Sequence, residues 1–165
     1  MSDTPEANLA CRCRSGCGNR RCLCYRAGQA CGDACRCVGC SNPFKHLKGS
    51  ELGACAREHV QWILQLTENV KREVLELPCG CGEALLGDLI EEYTCPECEE
   101  SYWYSFCWDE VAQSGNTWHC EVCRTCRDWR EWHCPRCNRC TYGQSLPCET
   151  CGARSELAEF LGDLL

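Results

Sequence analysis

Cysteine is the residue type in this chain most able to do chemistry, and it occurs 23 times in 165 residues. A thiolate can act as a nucleophile, a disulfide partner or a soft metal ligand. The count is odd, so a closed disulfide set would leave one thiol over. Nearly every cysteine sits in a C-x-C or C-x-x-C pair. Such short spacings place two sulfurs on one ion more readily than they let the sulfurs bridge each other. The opening MSDTPEANLA has neither the basic nor the apolar stretch of a secretory leader. A reducing compartment is therefore expected, where disulfides rarely persist. The expected chemistry is zinc ligation.

The first block runs Cys11, Cys13, Cys17, Cys22, Cys24, Cys31, Cys35, Cys37, Cys40, followed by Asn42. Nine sulfurs do not divide into separate four-ligand sites, but sharing resolves the count. Three zinc ions take about twelve bonds, which six terminal and three bridging thiolates supply. In extended backbone, residues i and i+2 point the same way, so each C-x-C presents both sulfurs to one cluster.

This pattern, through the closing C-V-G-C-S-N-P run, resembles the tesmin-like CXC (cysteine-rich) domain over residues 11–43. The resemblance implies a cluster of three zincs on nine cysteines. It also implies double-stranded DNA as partner and the nucleus as location, since the better-known members are nuclear DNA-binding regulators. Two-copy members carry a Tyr just before the second C-x-C that enters the minor groove. Here there is one copy, and Arg21 stands at that position. In this the chain is most similar to the single-copy male-specific-lethal type. Arginine suits a narrow A·T minor groove. Arg20 and Arg21 are thus expected at the groove. Arg12, Arg14, Arg26, Lys45 and Lys48 are expected on phosphates, and Tyr25 at a sugar or base.

The second block contains Cys79-x-Cys81, Cys95-x2-Cys98 and Cys107. Two similar units follow, His119-Cys120-x2-Cys123-x2-Cys126 and His133-Cys134-x2-Cys137-x2-Cys140, each preceded by Trp and offset by 14 residues. Cys148-x2-Cys151 closes the run. Thirteen cysteines and two histidines give fifteen ligands, enough for three closed sites. A fourth would need one more ligand, such as Cys55 or His59, or a bridge. The expectation is therefore about six or seven zinc ions per chain. Spacing does not say which pairs share an ion. The doubled unit resembles the CTCHY zinc finger found beside ring fingers in some ubiquitin ligases. That resemblance implies a ubiquitin-ligase component as an alternative function. A structural subunit of a chromatin-associated complex is a second alternative.

The elements that must position these residues are modest. Residues 1–10 read as a disordered tail and 11–49 as the zinc-cluster domain. Residues 50–78 read as one amphipathic linker helix, capped by Ser50, with Val60, Ile63, Leu66, Val70, Val74 and Leu77 at three- to four-residue steps and stopped by Pro78. Residues 79–152 read as a zinc-ribbon array with strands at YWYSF and NTW, and 153–165 as an acidic helix opened by Ser155. The fold class expected is small, metal-dependent and irregular: a three-zinc nine-cysteine cluster, a central helix and a ribbon-like array. Tryptophans 103, 108, 118, 129 and 132 are expected to form the small core between zinc sites, the alternative being an exposed aromatic groove for a peptide or an unpaired base. The Leu161-x2-Leu164-Leu165 match is expected to pack likewise.

Charge is uneven. Residues 1–50 carry eight Lys/Arg against three Asp/Glu, whereas 51–110 carry three against fourteen. Bound thiolates would erode the first excess, so nucleic-acid affinity must come from placed arginines rather than bulk charge. Protein partners are expected at the 55–77 helix, the array or the acidic C-terminus. No apolar run is long enough for a membrane span. There is no phosphate-binding glycine loop, no G-x-S-x-G and no isolated Cys-His pair, so a binding protein rather than an enzyme is expected.

Overall fold

A computed structural model describes residues 9–47 and 52–162. In chain order it contains α1 (Leu23–Arg26), a 3-10 turn (Pro43–His46), α2 (Ala54–Glu58), α3 (Val60–Ile63) and α4 (Glu68–Lys71). There follow β1 (Val74–Glu76), β2 (Glu83–Leu85), α5 (Leu86–Leu89), β3 (Tyr93–Thr94), β4 (Ser101–Ser105) and β5 (Glu110–Gln113). The chain closes with β6 (Thr117–Cys120), β7 (Thr125–Asp128), β8 (Glu131–Cys134), β9 (Arg139–Tyr142) and α6 (Glu156–Gly162). No helix among the described residues is long and apolar enough to cross a membrane. The chain divides into two compact units: residues 1–51 with 60–65, and residues 52–59 with 66–165.

Among the described residues the regular structure of the first unit is α1, the 3-10 turn and α3, and its buried cluster is made of Cys11, Cys17, Cys22 and Cys24. The backbone is tied across the cluster by Arg36 N–H to the Cys11 carbonyl and Val38 N–H to the Cys13 carbonyl, each 2.9 Å. Gly16 has φ +87°, and a Cβ there would stand 3.0 Å from the Ser41 hydroxyl. Glycine is therefore required at this close crossing of two segments. Val60 and Ile63 are buried in this unit, where α3 packs by the 3-10 turn.

The second unit is a succession of antiparallel hairpins. β1 pairs with β2, β3–β4–β5 form a three-stranded sheet, and β6–β7 and β8–β9 are separate two-stranded ribbons. Its apolar cluster is small: Leu77, Ala84, Leu89, Cys95 and Tyr102. The strands expected at YWYSF and NTW are β4 and β6. Ser155 opens α6 as expected, its hydroxyl accepting the Ala158 N–H at 3.1 Å.

The single helix expected over 50–78 is corrected to three short helices and a strand. The His59 N–H is shared between the carbonyls of Cys55 and Ala56, which ends α2. Thr67 then caps a fresh start at α4, its hydroxyl accepting from Val70 N–H. The physical reason lies in the two units. Val60 and Ile63 belong to one core and Leu77 to the other, while Val70 and Val74 are exposed. One apolar stripe cannot serve both. The expected tail, the Ser50 cap and the Lys48 contact fall wholly or mainly outside the described residues.

Candidate metal centres and nucleic-acid interface

The Sγ atoms of the first block converge. Cys11 lies 3.8 Å from Cys17 and 3.7 Å from Cys31. Cys11, Cys17, Cys31 and Cys37 are all mutually within 4.8 Å. Around this centre stand three pairs. Cys13 and Cys22 flank Cys11 and Cys17. Cys24 and Cys35 are 3.5 Å apart beside Cys11 and Cys31. Cys37 and Cys40 approach Cys17 and Cys31. Three central sulfurs and six outer ones is the division that sharing among three ions demands. A tetrahedral zinc with roughly 2.3 Å bonds puts its sulfurs about 3.8 Å apart. The contacts above fall at that edge length, so the residues fit zinc.

Asn42 is a part of this centre that cysteine counting did not assign a role. It is 1 % exposed. Its Nδ2 donates to the Gln29 carbonyl at 2.8 Å and to Cys31 Sγ at 3.3 Å, while its Oδ1 accepts the Phe44 N–H at 3.0 Å. Its position two residues after the last cysteine was the signal available. Burial pushes the Cys31 thiol up and the Asn42 donor pulls it down. Cys40 is held down at about 7, chiefly by the backbone N–H of Asn42.

Arg12, Arg14, Arg20, Arg21 and Arg26 are all exposed on this unit. Arg12 and Arg21 line one open hollow of about 330 Å³ together with Ser15 and Asn19. Tyr25 is half-buried, tilted against Phe44 with ring centroids 5.7 Å apart. The nearby Cys40 sulfur raises the pKa of the Lys45 ammonium. Lys45 is exposed.

In the second unit the ligand types gather in fours. Cys79, Cys81, Cys95 and Cys98 form one set and Cys55, Cys107, His119 and Cys126 another. In a third, His133 Nδ1 is 3.5 Å from Cys120 Sγ and 3.4 Å from Cys123 Sγ, with Cys140 3.6 Å from Cys123. In the fourth, Cys134 is 3.6 Å from Cys151, and Cys137 is 3.8 Å from Cys148. A nitrogen and a sulfur on one tetrahedral zinc stand about 3.6 Å apart, so the histidine contacts also fit. Both histidines turn Nδ1 toward the sulfurs.

The turns that present these sulfurs share one construction. Glu99, Arg124, Asn138 and Gly152, each directly after the second cysteine of a C-x-x-C, have φ of 60°, 57°, 53° and 70°. This left-handed step aims backbone N–H groups at the first sulfur, as in Cys123 N–H to Cys120 Sγ at 3.4 Å. Such donors favour the thiolate. The N–H groups of Cys151 and Thr150 bring Cys148 down to about 6, and those of Cys98 and Glu97 lower Cys95.

The tryptophans divide. Trp118 and Trp132 donate their indole N–H to the carbonyls of Asp128 and Gly143, bracing their hairpins, whereas Trp108 and Trp129 are exposed. Five tryptophans in one core is thus corrected, because each hairpin is too thin to cover both of its faces. In α6 only Ala158 is buried, while Leu157, Phe160 and Leu161 are exposed, contrary to the packing expected there; Leu164 and Leu165 lie outside the described residues.

No solved structure matches the chain. Residues 8–44 match the family model of the Tesmin/TSO1-like CXC domain, a cysteine-rich domain, and the nine-sulfur segment is a CXC domain on that match.

Proposed function

We propose that this is a zinc-dependent DNA-binding protein of the nucleus, with the CXC segment on DNA and the C-terminal zinc unit contacting other proteins. The observation that carries this reading is the set of exposed arginines around a cluster that matches the CXC family. Arg20 and Arg21 enter the minor groove. Arg12, Arg14, Arg26, Lys45 and Lys48 neutralise phosphates, with Lys45 also balancing Cys40. Tyr25, half-buried against Phe44, contacts a sugar or base. The match to a CXC family model, and a hollow flanked by Arg12 and Arg21, support the assignment.

Zinc acts structurally in this reading. Each set of four ligands is filled by Cys or His, which leaves no coordination position for a reacting water. Three ions in the CXC segment share Cys11, Cys17 and Cys31.

The test is a fluorescence-anisotropy titration of randomised duplexes at two salt concentrations. The doubly substituted Arg20→Ala/Arg21→Ala protein should lose about 1–3 kcal/mol of affinity, and its preference for A·T-rich sequence should relax. Wild-type preference should persist at the higher salt, since groove contacts outlast phosphate attraction. Equal affinity of the variant and the wild type overturns the proposal.

A further inference from the structure

Hairpins β4–β5, β6–β7 and β8–β9 are three copies of one unit. Their registers coincide: Tyr104 faces Val111, His119 faces Cys126 and His133 faces Cys140. The preceding residues are Trp103, Trp118 and Trp132. The turns coincide too, with Asp109, Arg124 and Asn138 at φ 58°, 57° and 53°. Ser105 therefore stands where the later hairpins have Cys120 and Cys134, and Trp108 stands where they have Cys123 and Cys137. Ser105 even keeps the turn's hydrogen bond. Its buried hydroxyl accepts Trp108 N–H at 3.3 Å, as Cys120 Sγ accepts Cys123 N–H at 3.4 Å.

The later copies obey a rule. The turn cysteines of one hairpin, Cys120 and Cys123, meet the strand residues His133 and Cys140 of the next. One step back, His119 and Cys126 should meet the turn of the first hairpin. That turn has lost both of its regular ligands. Two replacements stand there instead. Cys107, one position early in the turn, is 3.6 Å from His119 Nδ1. Cys55, from α2, is 3.9 Å from Cys107 and 3.5 Å from Cys126, and is only 2 % exposed. Nδ1 of His59, the other candidate in this segment, lies 2.8 Å from the Cys55 carbonyl and is engaged there. Two ion pairs hold α2 on the second hairpin's turn and so aim Cys55. Arg57 meets Glu121 at 3.0 Å, and Arg124 Nε meets Glu58 at 2.6 Å.

The geometry assigns Cys55, Cys107, His119 and Cys126 to a fourth C-terminal zinc site, in which Cys55 replaces a ligand missing from the first hairpin. The inference rests on zinc being the metal and not on DNA binding. With Cys55 included, all 23 cysteines and two of the four histidines have a site. The chain would then hold seven ions, three in the CXC segment and four in the second unit. This site differs from its neighbours in reach: Cys55 and Cys107 are 52 residues apart. The ion closes a loop that contains the whole Cys79/Cys81/Cys95/Cys98 set.

Native mass spectrometry of the full chain tests the assignment, after equilibration with a chelator at a concentration that leaves the wild type fully loaded. Cys55→Ser should carry one zinc fewer than wild type. Cys107→Ser should lose the same ion, so the Cys55→Ser/Cys107→Ser protein should still lack only one. Cys55→Ser/Cys123→Ser should lack two. Cobalt-loaded wild type should lose one three-thiolate, one-imidazole signature when Cys55 is replaced. A Cys55→Ser protein with the full zinc count, or a Cys55→Ser/Cys107→Ser protein lacking two, overturns the Cys55 assignment. A wild type holding three ions or fewer overturns the zinc reading of the second unit itself.

Discussion

The two units solve the same problem, folding without a large apolar core, in opposite ways. In the CXC segment nine sulfurs crowd together, and Cys11 belongs to three overlapping sets of four. In the second unit the ligands fall into sets that share no sulfur, each strung between one turn and the next element. Sharing economises on ligands and couples every ion to every other. Separation needs four ligands per ion but lets each site stand or fall by itself. Cooperativity in a metal-held fold is thus set by how many bonds each sulfur makes.

The broadest way to probe the contrast is to remove the metal. A strong chelator should abolish tertiary structure in both units, because binding energy of order 10 kcal/mol per structural zinc is folding energy here. Amide NMR followed during the titration should show the CXC resonances vanishing together, while those of the second unit disappear in groups. Simultaneous loss throughout would break the distinction. Next in size are single ligands. Cys11→Ser should cost the CXC segment every ion it holds, whereas Cys151→Ser should cost the second unit one, both read by native mass spectrometry.

A smaller effect is expected at Asn42. Asn42→Ala removes donors from a carbonyl and a sulfur and leaves the Phe44 N–H without its partner. The loss should be about 1–3 kcal/mol, measured by chelator or urea titration and confined to the CXC resonances. The smallest effect concerns the turn between β7 and β8. The Asp128 carboxylate accepts Arg130 Nε at 2.7 Å and Nη2 at 3.0 Å, which lowers its pKa. A depressed carboxyl adds stability above the ordinary carboxylate range and loses it as pH falls through the lowered value. Carbon-detected NMR should place the Asp128 midpoint below that of a free aspartate, and Arg130→Met should bring it back up.

Much of the metal chemistry could be read from local spacing, because a C-x-C or C-x-x-C pair is brought together by the backbone that joins it. The nine-cysteine pattern and the strands at Trp103 and Trp118 are of this kind. Pairing between distant elements is not. Nothing local to Cys55 distinguishes it from a buried thiol, and its partners lie on turns and strands beyond residue 100. The Ser105 substitution conceals the first hairpin further, since a hydroxyl can hold the turn but is a poor zinc ligand. The central helix failed for a related reason: its periodicity is real, but Val60 and Leu77 answer to different cores.

The offset between repeated turns has a consequence for how such a chain can grow. Cys120, Cys134 and Cys148 follow one another at 14-residue intervals, while Ser105 precedes Cys120 by 15. The extra residue lies in the connection between β5 and β6, and the register on either side is unchanged. The turn ligands of each later rung meet only ligands of its successor, whereas the first rung adds Cys55 from α2. Duplicating one hairpin would therefore lengthen the ladder by one ion without re-pairing any existing site, and erosion at its first rung needs only a single borrowed thiol to be repaired.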